Sequence, residues 1–282
     1  MKGLKKLALA TAVAAAPFAT QAMEPMNDEQ MGNVTGQEGV TIELNTAMTI
    51  DQIEYSQDTN GSFLMDGIRV GGFEDGQTLD LSVDIDLEDS GDAVIHVGSL
   101  DGNPVQLGVD VDSMGISGDA GSATLISGLD LNMALGALDI TAQVEDLSGA
   151  VDTTGSLQID TGFSITNLNV SFDVAAVSLE GFRMAGAGTL DTMETADTAT
   201  MIGLSAPAAA GGAPAVVDMA IGAGDSLSGN NPGGGDVLRI NLASFAADIY
   251  MPTIKVGEQS IGSVGIRNLQ VTDTQIAVYG RD

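Results

Sequence analysis

The chain has 282 residues, of which 39 are acidic and nine basic, with one His and no Cys. This excess of negative charge disfavours binding to nucleic acid and to anionic membrane surfaces. The lack of Cys excludes disulfides, so the fold must be stabilised by burial alone. Because the chain has seven Phe, three Tyr and no Trp, its core must consist of Leu, Ile, Val, Met and Ala, which suits thin packed sheets.

The N-terminus has the pattern of a secretory signal peptide. Lysines lie within Met1–Lys6, an apolar run follows at Leu7–Ala16, and Thr20-Gln21-Ala22 supplies small residues before a cleavage site. The apolar run is far shorter than the roughly 20 residues of a membrane-spanning helix. We therefore expect residues 1–22 to be removed on export to the periplasm, the outer cell surface or the extracellular space.

The exported chain, residues 23–282, is expected to form a single β-rich domain. It keeps six basic residues against 39 acidic ones, a net charge of −33. No later segment is long and apolar enough to span a membrane. The first predicted element is a short helical turn at Asn27–Gly36, because Asn27 can cap it and Gly36 can end it.

Short runs of alternating or apolar residues, bounded by turn residues, predict β-strands over most of the chain. They lie at Val40–Leu44, Met48–Tyr55, Phe63–Val70, Ala93–Val97, Val105–Val111, Ala123–Ile126 and Val237–Leu242, and further strands extend to Val278. The clearest strand is Leu79–Glu88, in which every odd position is aliphatic and every even position is a carboxylate or a hydroxyl. Its aliphatic face is expected to cover a core while the other face meets water.

Between Phe163 and Met184 the alternation slips by one residue three times. A slip turns every later side chain to the other face unless the backbone bends or bulges. We therefore predict an all-β fold, built as an elongated and strongly curved antiparallel sheet, a sandwich or an irregular solenoid. Residues 189–235 are rich in Ala, Gly and Pro and poor in large apolar residues, so they are predicted to form a flexible excursion with one short strand at Val216–Ile221.

Acidic rows are the densest chemistry in the sequence. Asp84, Asp86 and Glu88 follow one strand face and are the candidates for weak Ca²⁺ binding, the one cofactor considered. The ligand spacing of an EF-hand loop and the nonapeptide repeat of calcium-binding β-rolls are both absent. We expect salt or millimolar Ca²⁺ to raise the melting temperature by screening or loosely bridging these rows, with monovalent salt alone recovering most of the effect.

The sequence offers little material for catalysis. His96 is the single His, and without Cys or a second His neither a zinc site nor a Ser-His-Asp triad can be assembled from it, so it is interpreted as a structural or solvent-edge residue. Gly67-Ile68-Arg69, Gly181-Phe182-Arg183 and Gly265-Ile266-Arg267 share a Gly-apolar-Arg pattern. We expect each Arg to pair with carboxylates at the start of similar strands, the alternative being an anion-binding role.

Both ends of the chain resemble a known family. The run from Met31 to Ile42 and the ending from Ile261 to Gly280, together with the Asp84-Ile85-Asp86 strand, are similar to the exported proteobacterial family of the pilus-system protein FilA. This resemblance implies export, a β-rich fold and a link to surface fibres, and it supplies no site residues. The middle of the chain, above all Ala206–Gly235, does not share it.

These observations predict an exported, non-enzymatic structural or adhesive surface protein, a component or accessory of a pilus-like fibre. Its partners would be other surface or fibre proteins, including copies of itself. Two alternatives remain open. One is a periplasmic carrier that holds an apolar ligand in a curved sheet, with Leu and Met exposed in a groove. The other is a polysaccharide-acting enzyme with paired carboxylates facing each other across a cleft lined by Tyr or Phe.

Overall fold

The computed structural model describes residues 39–56, 61–147, 151–229 and 235–280. These ranges contain twelve β-strands in one sheet, and every strand pairing is antiparallel. The all-β prediction is confirmed. Of the three predicted arrangements, the described strands form the antiparallel sheet, without a second sheet as in a sandwich or the coils of a solenoid. The predicted signal peptide and the helical turn at Asn27–Gly36 lie outside the described residues.

The strands cover most of the described chain. They are β1 (Val40–Thr46), β2 (Met48–Ser56), β3 (Ser62–Gly71), β4 (Leu79–Leu87), β5 (Ala93–Gly98), β6 (Val105–Gly118), β7 (Gly121–Glu145), β8 (Val151–Phe172), β9 (Val177–Ala185), β10 (Ala215–Gly224), β11 (Val237–Val256) and β12 (Gln259–Val278). Two short helices, α1 (Leu190–Met193) and α2 (Thr198–Leu204), lie between β9 and β10.

The twelve strands form eight long strands that follow one another in sequence order. β1 pairs with β4 and β2 with β3, so β1 continues into β2 and β3 continues into β4. In the same way β5 and β6 share one side of β7, and β9 and β10 lie between β8 and β11. The sheet is therefore a simple meander of β1–β2, β3–β4, β5–β6, β7, β8, β9–β10, β11 and β12.

Each long strand crosses the middle of the sheet once, which divides the sheet into two rows. Row 1 contains β1, β4, β5 and β10 with the adjoining halves of β7, β8, β11 and β12. Row 2 contains β2, β3, β6 and β9 with the other halves. We call the boundary the seam, and it passes Ala47, Gly136, Ser164 and Asp248. Three segments leave the sheet there, at residues 72–78, 99–104 and 186–214.

Irregular pairing is found at the seam. β7 carries one extra residue, Gly136, between the pairs Leu135–Phe163 and Ala137–Gly162. β8 and β9 change register between Ile165 and Leu168, which confirms the slip predicted at that point. An extra residue on one strand bends it locally. The slips after Ile165 and Leu179 therefore correspond to irregular pairing in a continuous sheet, whereas the slip after Val174 is the turn between β8 and β9.

Residues 186–214, which we call the insert, pack on the seam. Met193 and Met201 are 0% and 1% exposed, and they form a buried cluster with Ala185 and Leu190. The Ser164 hydroxyl donates to the carbonyl oxygen of Met201 at 2.8 Å. The insert and the sheet beneath it thus enclose the best-buried part of the described chain.

The structure corrects the flexible excursion predicted at 189–235, because residues 189–214 belong to the insert, which packs on the sheet through buried methionines. The short strand predicted at Val216–Ile221 is confirmed as part of β10 (Ala215–Gly224), which lies inside the sheet between β8 and β11. The small residues that suggested mobility serve close packing instead. A Cβ on Gly186 would lie 2.4 Å from the carbonyl oxygen of Pro214, so only glycine allows the two chain segments to approach this closely.

Asp248 of β11 fixes the start of the insert to the sheet. Its carboxylate is 1% exposed. One oxygen accepts the backbone N–H groups of Gly188 at 3.0 Å and Leu190 at 2.9 Å, and the other accepts that of Asn268 in β12 at 2.7 Å. A single carboxylate therefore connects β11, β12 and the insert.

Candidate functional site

The sheet has a polar and an apolar face, and both continue across the seam. Directly paired residues of antiparallel strands project to the same face. On β8, alternate residues from Leu157 to Ile165 pair with Ala142, Ile140, Leu138, Leu135 and Met133 of β7. The extra residue Gly136 keeps Leu135 and Leu138 on one side. One face is therefore apolar along the full length of these central strands.

The polar face of row 1 carries a line of ionisable side chains across five neighbouring strands, which we call the acidic row. It consists of Asp84 in β4, His96 in β5, Asp139 in β7, Asp160 in β8 and Asp218 in β10, each paired with the next. Neighbouring strands lie about 4.8 Å apart, so four carboxylates and the one His share a narrow strip.

Hydrogen bonds relieve part of the repulsion in the acidic row. Thr41 of β1 donates to Asp84 at 2.5 Å, and His96 Nδ1 lies 2.6 Å from Asp139 Oδ1 with both side chains about half exposed. Gln158 donates to Asp218 at 2.5 Å. Asp160, between Asp139 and Asp218, has the least favourable surroundings: partial burial, followed by the charge of Asp218, raises its pKa above the ordinary 3.8.

The raised pKa of Asp160 gives a pH-dependent prediction. Since the folded state holds this proton more tightly than the unfolded state, ionisation of Asp160 opposes folding increasingly as the pH rises above 3.8. We expect Asp160→Asn to raise the melting temperature at pH 7. The gain in unfolding free energy should be at most about 1 kcal/mol, because exposed charges are screened. Near pH 3 the substitution should make little difference.

Asp191→Asn is the control of opposite sign. Hydrogen bonding and charge from Arg267, 2.6 Å away, lower the pKa of Asp191, so its ionised form supports folding. Removing that charge should lower the melting temperature at pH 7 and have less effect near pH 3. Thermal melts of both variants at the two pH values test the argument, and equal shifts at both pH values would contradict it.

The calcium candidates lie on one strand without converging. Asp84 and Asp86 are two residues apart on β4, and Glu88 follows the end of that strand. Same-face neighbours along a strand are about 6.8 Å apart, too far for a shared cation, and Asp84 already accepts from Thr41. Among the described residues, no group of three or more His, Cys, Asp or Glu could hold a metal ion.

The expected response to salt and millimolar Ca²⁺ stays a prediction, tested by melting the protein in CaCl₂ and in NaCl of equal ionic strength.

The apolar face is only partly exposed. Ile68, Val105 and Val111 lie on it in row 2 and are 8%, 3% and 4% exposed. The insert lies on the other face, because it contacts Ser164, whose neighbour Phe163 projects to the apolar side. The largest fully buried side chains are all in the insert or on its side of the sheet. Leu157, in the centre of row 1, is 40% exposed. Two lines of paired apolar residues illustrate the face: Val40, Ile85, Ile95, Ile140, Ile159, Met219 and Leu242 in row 1, and Leu107, Met133, Ile165, Met184, Ile249 and Ile266 in row 2.

The apolar face is large for a protein surface. Eight strands about 4.8 Å apart and about 20 residues long give the face an outline on the order of 2,000 Å², of which the exposed apolar area is a part because many of its side chains are half-buried. The largest apolar patch on an ordinary monomer is about 300–600 Å². An interface of standard size needs only about 800 Å² from each partner. This face has the extent and chemistry of a binding surface.

Two cavities among the described residues each lack one part of the predicted glycosidase site. One cavity is lined by Tyr55 and Phe63, but its lining includes a single carboxylate, Asp119. Another is lined by Asp80 and Asp101 without an aromatic residue. Hydrogen bonds from Asn103 and Ser99 lower the pKa of Asp101 to about 2. A carboxyl group with that pKa is ionised at neutral pH and unsuited to act as a general acid.

The sequence pattern predicted the acids along β4 but did not predict the acidic row that crosses five strands. The cross-strand line depends on register, which no local pattern reveals. One signal was available: Asp84, His96, Asp139 and Asp218 each lie between two apolar residues of an alternating run, and Asp160 lies between Ile159 and Thr161. The partly exposed apolar face was missed because alternation predicts a covered core in the same way.

Comparison with known proteins gives a family and no activity. A family model described as a family of unknown function, DUF6160, matches residues 1–206. The chain belongs to the DUF6160 family. The DUF6160 match includes β1 to β9 and ends within the insert, so β10 to β12 lie beyond it. No curated protein and no solved structure matches the chain. In the described residues, no helix has both the length and the apolar character to cross a membrane.

Proposed function

We propose that this protein is an exported, non-enzymatic structural protein of the cell surface that functions in an associated state, as a component or accessory of a pilus-like fibre. The observation that carries the proposal is the apolar face. A sheet whose apolar face has an extent on the order of 2,000 Å², with side chains such as Leu157 40% exposed, is stabilised when another protein surface removes the exposed part from water. The signal-peptide pattern of residues 1–22 supports export to a site where such partners are found.

The two outermost long strands support the same proposal. β1–β2 and β12 each pair on one side only within the described sheet. Unpaired backbone N–H and C=O groups on such edges are templates for further strands. An apolar face and open edges together suit a protein that associates with other proteins, either by pairing strands at its edges or by packing a second surface on its apolar face.

Association through the apolar face is tested with two neighbouring substitutions. Leu157→Lys places a charge on the apolar face, whereas Gln158→Lys places the same charge on the acidic face, beside Asp218. The full-length protein, produced in an exporting host, would be examined by light scattering and by electron microscopy for filaments. We expect an associated wild-type protein, weakened association in Leu157→Lys and little change in Gln158→Lys. A wild-type protein that is monomeric at all concentrations and forms no filaments would contradict the proposal.

A carrier of an apolar ligand is the second candidate, and the same face favours it. Exposed Leu157 and the half-buried Met133, Met184 and Met219 resemble the groove of Leu and Met expected for that function. Acyl chains that co-purify in a fixed ratio with a monomeric protein, and are lost in Leu157→Lys, would favour the carrier. Association of ligand-free protein would favour the structural function.

A further inference from the structure

The two sheet edges lack several of the usual barriers to pairing with another chain. Proteins protect edge strands with Lys, Pro, bulges or very short strands. Neither 40–56 nor 259–278 contains Lys or Pro, and β12 alone has 20 residues. Apolar and polar side chains alternate along both edges, and the exposed apolar ones include Ile42, Leu44, Ile261 and Ile276.

The directions of the two edges suit each other. The meander has an even number of long strands, so its last strand runs antiparallel to its first. If a second copy is placed beside the first by translation, its β1–β2 edge therefore lies antiparallel to β12. The polar and apolar faces of the two copies then continue into each other, and row 1 adjoins row 1.

Both edges are also interrupted at the same place. β1 and β2 are separated at Ala47. On β12, Asn268 has a left-handed backbone (φ 52°), next to the register shift at the seam. In row 1 the seven residues of β1 would meet 271–278, and in row 2 the nine residues of β2 would meet 259–266. The segments on the two edges are nearly equal in length on each side of the seam, and Asp273 within 271–278 has a second left-handed backbone (φ 51°).

Charge favours the contact between unlike edges. β1–β2 carries three acids and no base: Glu43, Asp51 and Glu54. β12 carries Arg267 and Asp273, with no net charge. Pairing two β1–β2 edges would bring six acids together, whereas pairing β1–β2 with β12 avoids this repulsion.

We propose that β12 of one copy pairs antiparallel with β1–β2 of a second copy, so that successive copies form one continuous sheet. This inference rests on the proposed function, since it names the contact by which the protein associates. Unlike edges make a heterologous contact, which leaves a free edge at each end of the assembly. The contact therefore does not close and can extend into a filament.

Disulfide trapping tests the contact, because the chain has no Cys and each introduced thiol is unique. Thr41 and Thr272 lie on the same cross-strand line within one chain. Directly opposed residues of antiparallel strands have Cα atoms about 4.5–5.5 Å apart, within the range of a disulfide. Full-length Thr272→Cys would be mixed in turn with Thr41→Cys, Glu43→Cys and Asn45→Cys under mild oxidation. Ile42→Cys is the control, since Ile42 projects to the opposite face.

We expect Thr272→Cys to form a disulfide-linked dimer with at least one of the three polar-face variants and not with Ile42→Cys. A double variant that combines Thr272→Cys with whichever of Thr41→Cys, Glu43→Cys and Asn45→Cys forms the dimer should give a ladder of disulfide-linked oligomers. Dimers formed as readily between two copies of Thr41→Cys would contradict the unlike-edge contact, as would a disulfide within one chain. Light scattering of the wild-type protein in the same buffer separates the two proposals. Association without the mixed disulfide contradicts only the edge contact, whereas no association contradicts the proposed function.

Discussion

Replacing Asp248 with Ala is expected to destabilise the protein by roughly 3–5 kcal/mol, because three backbone N–H groups lose a charged acceptor at once. Gly188, the buried Leu190 and Asn268 all donate to this carboxylate, and a hydrogen bond to a charged group contributes about 1.5–3 kcal/mol. A domain has only about 5–15 kcal/mol of stability in total. The loss should appear as a lower midpoint in chemical denaturation.

Two further variants keep this prediction testable if Asp248→Ala fails to fold. Asp248→Asn retains one acceptor oxygen and should give an intermediate loss, with faster hydrogen exchange at Gly188, Leu190 or Asn268. Asp197→Ala is the control: Asp197 accepts one N–H, that of Thr200 at 2.8 Å, and is exposed. Its removal should cost much less. Equal losses in Asp197→Ala and Asp248→Ala would contradict the anchoring role.

Gly136→Ala is expected to displace the insert from the sheet. A Cβ on Gly136 would lie 1.8 Å from the carbonyl oxygen of Ser205 and 2.9 Å from its carbon. Both are backbone atoms, so the strain cannot be relieved by rotating a side chain. Overpacking a tight contact typically costs about 1–3 kcal/mol, and this overlap should bring the loss to the upper end. Denaturation midpoints and the rate of proteolysis within 186–214 measure it.

Gly203→Ala, in the same part of the molecule, is expected to leave the protein as stable as before or slightly more stable. Gly203 lies in α2, and a Cβ there would have no atom within 4 Å. An alanine in a helix is favoured over glycine by about 1 kcal/mol at most, so this variant should be slightly more stable and no more sensitive to protease. Similar destabilisation by both glycine substitutions would indicate that the contact with Ser205 is not the cause.

The fold class could be predicted because alternation is local. Leu79–Glu88 shows its two faces without reference to any other strand, and it is observed as β4 at Leu79–Leu87. The lengths of the strands were harder to predict. Ala123–Ile126 was expected to be a short strand, yet it belongs to β7, which runs from Gly121 to Glu145. The small residues Ala134 and Gly136 look like punctuation in the sequence, although they are there because the insert lies on them.

The Gly-apolar-Arg pattern shows how far a local motif can be interpreted. Pairing with carboxylates is confirmed for Arg69, whose Nε lies 2.5 Å from Asp110, and for Arg267, which contacts Asp191. Their predicted position at the start of a strand is wrong, since Arg69 lies near the end of β3 and Arg267 in the middle of β12. Arg183 instead donates to the carbonyl oxygen of Met193 at 2.5 Å. Its partner is a backbone atom of the insert, and a contact of that kind has no signature in the sequence.

The sequential order of the meander has a consequence for how the chain folds. Every long strand pairs only with the strands before and after it along the chain, so no pairing has to wait for a strand from a distant part of the fold. All-β proteins usually fold slowly because their contacts are distant in sequence, and the same is expected here, since Thr41 pairs with Asp84 and Asp160 with Asp218. Each new hairpin can add to the edge left by the previous one, which allows the sheet to grow in the order in which the chain is delivered. The insert can dock only after β9, β11 and β12 are in place, since Asp248 and Asn268 belong to the last two long strands. The best-buried cluster of this protein is therefore expected to form last.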